Sequence, residues 1–264
     1  MQITRTETPT GGLNRTRREE IVPLNTGSRE VEPEFYLDSS ESEGWPWDSD
    51  PSRNTWDIQV PAMRGVLVPF EQLDSQAADE QAGGSDEEGG VFAYGFSNRY
   101  QMFGSEPDDG DLNSSNVDRK LADYIAKYFD REGKPRGGTE IMEAIKAADR
   151  RYMGEFRKDD RDERPVRARV VFTDGALRDA DAFRRYLAQA TLDKETGYGS
   201  HGDWDEVWAI AIIGPAEGGG NEAHRQYQDL AADHPWIHSY NFEAVVNPDE
   251  IAEDIAVAVV PTQA

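Results

Sequence analysis

Cysteine is absent from the sequence, which removes disulfides, thiolate zinc sites and thiol nucleophiles together. Histidine is scarce. Of His201, His224, His234 and His238, only His234 and His238 stand four apart, and Pro235 between them argues against a shared helix face. A histidine metal cage is therefore not expected. No stretch approaches the ~20 consecutive apolar residues that a membrane-spanning helix needs. The opening MQITRTETPTGGLNRTRREE has no apolar core of the kind a secretory signal requires. These absences lead to the expectation of a cytoplasmic protein with no membrane partner.

What the chain has in excess is negative charge. Against 28 basic residues stand 52 acidic ones, for a net charge of −24. The field of such a molecule repels a phosphate backbone, so a nucleic-acid partner is not expected without a local basic face. Six of the basic residues are lysine and the rest arginine, a skew that fits a GC-rich genome or a salt-adapted proteome equally well. Hydrophobic residues at 37% of the 264 are enough for a sizeable core, and this rules out a wholly disordered chain.

Residues 1–30 are rich in Thr, Arg, Asn, Gly and Glu and lack apolar periodicity, so they read as a flexible or partner-ordered extension to a domain spanning 31–264. From Val31 onward, short apolar runs alternate with helical patterns. Strands are expected at 34–37, 91–96, 100–103, 168–172, 207–213 and 236–242, the second and third forming a hairpin. Trp56, Val60, Met63, Leu67, Phe70 and Leu73 recur at helical spacing, but Pro61 and Pro69 suggest a helix that begins at Pro61 and kinks near Pro69. Further helices are expected around Val117–Tyr128, from Thr139 to Met153, around Phe183–Leu187 and after Asn247. The fold class is α/β: a doubly wound, mostly parallel six-stranded sheet with one antiparallel edge strand and helices on both faces.

In such sheets function gathers beyond the carboxyl ends of the parallel strands. Three segments there stand out: Asp38-Ser39-Ser40-Glu41-Ser42 after the first strand, Gly138-Thr139 at a helix mouth, and Thr173-Asp174-Gly175 ending a buried strand. Two carboxylates and three hydroxyls make an all-oxygen donor set, which suits Mg²⁺ or Mn²⁺. Taken singly each has a plainer reading: Ser40 and Ser42 as helix caps, Thr139 as a helix-start residue, Asp174 as a turn cap. Their convergence on one edge favours the metal. Glycines border the same edge at Gly214 and in AEGGGNEA, but neither GxxxxGK[ST] nor GxGxxG follows a strand, so nucleotide binding is not expected.

In these segments the chain resembles a von Willebrand factor type A (vWA) domain of the intracellular prokaryotic type, carrying a metal-ion-dependent adhesion site. DxSxS stands as Asp38, Ser40 and Ser42, the family's lone threonine as Thr139 in GGTEI, and its last aspartate as Asp174 in VVFTDG. The likeness spans residues 31–260. It implies that Ser40, Ser42 and Thr139 ligate the ion directly, that Asp38 and Asp174 act largely through bound waters, and that an open position on the ion takes an Asp or Glu of a partner protein. It further implies a subunit of a larger assembly, working beside a separate AAA+ ATPase or within a stress- or tellurium-resistance system.

One departure is Glu41, where the family often has glycine, with Glu43 just after it. Glu41 could point to solvent, or could screen or ligate the metal. Trp45 and Trp47 in EGWPWDSD are candidate partner contacts, or could fold back over the first helix. The expected function is a noncatalytic, metal-dependent protein–protein interaction module. Two alternatives stay open: a structural assembly subunit with a vestigial metal site, and a metal-assisted phosphoester hydrolase using Asp38, which lacks a second metal cluster and an activated nucleophile.

Overall fold

Residues 30–44, 54–80, 91–98, 100–103, 112–113, 115–129, 136–156, 164–202, 204–214, 220–243 and 247–260 are described by the computed structural model. Residues 1–29, Trp45, Trp47 and the acidic stretches 81–90 and 104–111 lie outside them. In chain order the elements are β1 (Val31–Asp38), α1 (Trp56–Glu80), β2 (Phe92–Phe96), β3 (Tyr100–Phe103), α2 (Val117–Tyr128) and α3 (Met142–Glu155). There follow β4 (Val166–Thr173), α4 (Ala180–Thr196), β5 (Glu206–Gly214), α5 (Gly220–Asp233), β6 (Ile237–Glu243) and α6 (Pro248–Val259).

The strands form one sheet in the order β3-β2-β1-β4-β5-β6, in which β3 runs antiparallel to β2 and the other neighbours pair in parallel. Connections leave β1 towards β2 on one side and reach β4 on the other, so the sheet's switch point lies between the carboxyl ends of β1 and β4. Alternation along each strand feeds two cores. Phe35, Leu37, Val170, Phe172, Ala209 and Ala211 face α1, α2 and α6. Tyr36, Tyr94, Val171, Trp208, Ile210 and Ile212 face α3, α4 and α5. Among the described residues no helix is long and apolar enough to cross a membrane.

Helix α1 departs from expectation. It begins at Trp56, more than a turn before Pro61, and contains both prolines. The start is set by Asn54, whose side chain accepts the Asp57 N–H, and by Thr55, whose carbonyl accepts the Ile58 and Gln59 N–H groups. Each proline costs one intrahelical hydrogen bond. Buried Ile58, Ala62, Met63, Val66, Leu67 and Phe70 offset that loss through packing. Contact with α6 is close, since a Cβ at Gly65 would overlap Ala252.

Strands β1, β4 and β5 also start earlier than their apolar runs suggest, and the added residues include the charged Glu32, Arg167 and Glu206. Glu32 and Glu34, Arg167 and Arg169, and Glu206 all lie buried on the face that carries Tyr36 and Trp208. Arg167 Nη2 lies 2.7 Å from Glu34 Oε1, Arg169 Nε 3.1 Å from Glu34 Oε2, and Arg151 Nη2 3.0 Å from Glu34 Oε1. Asp149 on α3 pairs with both Arg167 and Arg169. The guanidinium of Arg169 also rests 4.8 Å from the Trp208 ring centroid, and that of Arg167 4.5 Å from Tyr152. Burial alone would raise the Glu34 carboxyl, but Arg167, Arg169 and Arg151 together hold it down at about 2.

A buried charge that loses its partner is costly, so Glu34→Ala should destabilise the fold by roughly 3–5 kcal/mol in urea denaturation. Removing the exposed Lys146–Glu143 pair with Glu143→Ala should cost less than about 0.5 kcal/mol. Equal effects would contradict a structural role for the buried network.

Candidate metal centre

Strand β1 ends on Asp38, fully buried, and the next backbone group anchors the loop: Ser39 N–H donates to Phe96 O at 2.8 Å. Both Asp38 carboxylate oxygens accept hydrogen bonds. Ser40 N–H reaches Oδ1 at 2.8 Å and the Thr173 hydroxyl reaches Oδ2 at 2.6 Å. The parallel pairing of Leu37 with Phe172 puts Thr173 and Asp174 beside the end of β1. Ser42 then donates to Asp174 Oδ1 at 2.9 Å, and the Ser40 and Ser42 hydroxyl oxygens lie 3.2 Å apart. Asp38, Ser40, Ser42 and Asp174 are thus joined in one hydrogen-bonded group at the switch point.

Thr139 is buried beside that group, with Oγ1 facing Gly175, where an added Cβ would stand 3.7 Å away. It is not a helix-start residue as its sequence position suggests. Helix α3 begins at Met142, and the amide groups there are taken by Asp179, which accepts from Ile141 N–H at 3.3 Å and Met142 N–H at 2.8 Å. Backbone bonds hold Thr139 in place, with Arg178 N–H donating to its carbonyl at 2.8 Å. Its hydroxyl is therefore not needed to cap the helix.

Glu41 and Glu43 part company. Residues Glu41–Gly44 form a single tight turn of three residues per turn. Positions three apart fall on one side of such a turn, so Glu43 follows Ser40 inward while Glu41 stays exposed. Glu43 accepts Asp174 N–H at 2.9 Å and the Gln59 amide at 3.3 Å, and Gln59 also donates to the Asp38 carbonyl at 2.8 Å. Neither Glu43 nor Gln59 is marked by the DxSxS spacing. The inward turn of Glu43 follows from the three-residue period of Glu41–Gly44, which is seen in the structure; Gln59 had no signal in the sequence.

Carboxyl oxygens of Asp38, Glu43 and Asp174 come within 4.8 Å of one another, close enough to share one ion. With serine and threonine hydroxyls alongside, the donors are all oxygen and fit a hard divalent cation. Electrostatics point the same way. Burial first, then the charge of Asp174, pushes Asp38 up to about 7 against the opposing hydrogen bonds of Thr173 and Ser40. Burial, Asp174 and Asp38 push Glu43 well above the carboxylate range. Burial raises Asp174 too, with Ser42 opposing. A cluster of acids this strained needs protons or a cation.

The sequence matches no protein-family model and no curated protein. Among solved structures the chain is similar to the manganese-loaded TRAP protein of Plasmodium vivax, at 13% identity and a TM-score of 0.52 over 88% of this chain and 74% of that one. It also aligns with the PilB minor pilin of Streptococcus sanguinis at 12% identity and a TM-score of 0.46, over 88% of this chain and 61% of the pilin. At these identities the TRAP likeness speaks for the fold alone; the pilin overlay is too loose to argue from. Together with the sheet order, the TRAP likeness supports a vWA-like fold for this chain.

Proposed function

We propose that this chain is a noncatalytic, metal-dependent protein-interaction module, a subunit of a larger assembly, whose ion at Asp38, Ser40, Ser42, Thr139 and Asp174 receives an Asp or Glu of a partner. The observation that carries this reading is the meeting of Asp38, Glu43 and Asp174 carboxyl oxygens within 4.8 Å beside a hydroxyl donor, at the sheet's switch point. The all-oxygen donor set favours Mg²⁺ or Mn²⁺. A bound ion supplies a positive, incompletely coordinated centre, which on a −24 chain is the local feature an acidic partner can approach.

Three ionised carboxylates would outweigh a divalent charge and repel that partner. Glu43 resolves this if it stays neutral, the form that burial favours, and spends its oxygens on Asp174 N–H and Gln59. It is then a positioning residue for the Asp174 turn. The vestigial-site reading has one observation in its favour: Ser42 and Thr173 already satisfy the aspartates through direct hydrogen bonds.

Three variants separate these readings by Mn²⁺ calorimetry. Asp38→Ala should abolish binding. Thr139→Ala should weaken it at least about tenfold while changing stability by less than ~1 kcal/mol, because Asp179 rather than Thr139 serves the start of α3. Glu43→Gln should keep Mn²⁺ affinity within about tenfold. A Thr139→Ala variant that binds Mn²⁺ as the parent does would remove Thr139 from the site, and loss of binding in Glu43→Gln would make that residue a ligand.

The raised carboxyls also set a pH dependence. In the metal-free protein they bind protons more tightly folded than unfolded, so their stabilising contribution is complete below the unfolded carboxylate range and is lost as pH rises through about 7 for Asp38. A cation reverses that loss. The Mn²⁺-induced rise in melting temperature should be slight at about pH 5 and several-fold larger at about pH 8. A rise independent of pH in scanning calorimetry would contradict the assignment of the ion to these acids.

A further inference from the structure

We infer that the chain carries a second, anion-binding subsite beside the metal centre, fitted to a further acidic side chain of the same partner segment; this rests on the metal-dependent reading above. A cavity of about 340 Å³ opens where the carboxyl end of β2, the last turn of α2 and the Arg136–Gly137 turn meet. Two cations reach it, Lys127 and Arg136, both exposed, and no acidic residue is among its described lining residues. On a chain where acids outnumber bases 52 to 28, a described lining whose only charged side chains are cations stands apart. Hydroxyls of Ser39 and Ser97 and the Asn98 amide add polar groups, and Tyr124, Tyr128 and Phe129 supply aromatic walls.

The cavity is built into the fold. A Cβ at position 95 would overlap the Tyr124 hydroxyl, so Gly95 is what lets that ring seat against β2. The Tyr124 hydroxyl then sits 3.0 Å from Ser39 Oγ, which donates to Phe96 O at 3.0 Å. Gly137 adopts a φ of 92°, and a Cβ there would press on Asn98 at 3.2 Å. Asn98 in turn accepts Gly138 N–H at 2.6 Å. The floor and rim are held by these two glycines and their polar neighbours.

The cavity shares its wall with the metal loop. Ser39 directly precedes Ser40, Arg136 N–H donates to Ser39 O at 3.1 Å, and Glu41 N–H donates to Gly137 O at 3.0 Å. A partner segment with one carboxylate on the ion therefore has a cationic, aromatic-walled recess next to it for a second. The chemistry fits an acidic peptide. Charge pairing at two points confers specificity for runs of Asp and Glu, where the rest of this acidic surface would repel them.

The test uses the full chain and a fluorescein-labelled hexaglutamate peptide, read by anisotropy with Mn²⁺ or with EDTA, beside a hexaglutamine control. The double variant Lys127→Gln with Arg136→Gln, which removes two positive charges, should lower hexaglutamate affinity at least about tenfold while leaving Mn²⁺ affinity within about twofold by calorimetry. Lys146→Glu, an exposed cation on α3, should change affinity less than about twofold, which separates the subsite from bulk charge. The proposal is overturned if the parent does not bind hexaglutamate, if the double variant binds it as well as the parent, or if Lys146→Glu costs as much. Binding that persists in EDTA but falls in the double variant upholds the subsite and sinks the metal-bridge reading. Binding that needs Mn²⁺ but ignores the double variant does the reverse.

Discussion

The register between β1 and β4 is held at both ends by buried polar contacts, and the site depends on it. At the amino end Glu34 is clasped by Arg167 and Arg169; at the carboxyl end Asp38 takes the Thr173 hydroxyl. A slip of one residue would turn every side chain of β1 to the opposite face. Glu34 would then enter the aliphatic layer beneath α1 and α6, and Asp38 would leave Thr173. The buried charges are costly in themselves, and replacing such a pair with apolar residues is often neutral or better for stability. Here their contacts accompany the register that brings the two aspartates together.

Much of the architecture was legible in the chain. Val207–Ile213 is too apolar for anything but a central strand, and Asn247-Pro248-Asp249-Glu250 announces α6 with its cap, first-turn proline and acids. The errors have physical causes. Strand starts were missed because Glu32, Arg167 and Glu206 are residue types usually met at the surface. Their signal lay in complementary charge at alternating positions of β1, β4 and β5. Helix α1 was expected to begin at Pro61 because local propensity penalises an internal proline, whereas packing against the sheet and α6 outweighs that penalty.

At the candidate site, Asp38, Ser40, Ser42 and Asp174 could be singled out because donor type and strand-end position are sequence properties. Glu43 could not, because whether Glu41 or Glu43 turns inward is decided by the tight turn of Glu41–Gly44. The role of Thr139 also needed three dimensions, since the residue serving the α3 amides, Asp179, comes from a distant part of the chain. The strained acids are the counterpart of the ordered frame. A sheet that pairs its buried charges at the amino ends of β1 and β4 gathers carboxyl groups at their carboxyl ends.

The central claim is that these like charges are held for a divalent ion. Anomalous scattering from crystals of the full chain grown with Mn²⁺ tests it most directly. The account predicts one strong peak at about 2.1–2.2 Å from serine hydroxyl oxygens of the Asp38–Ser42 loop and close to Asp38 and Asp174. No peak there at saturating Mn²⁺, or a sole peak elsewhere on the acidic surface, would contradict it.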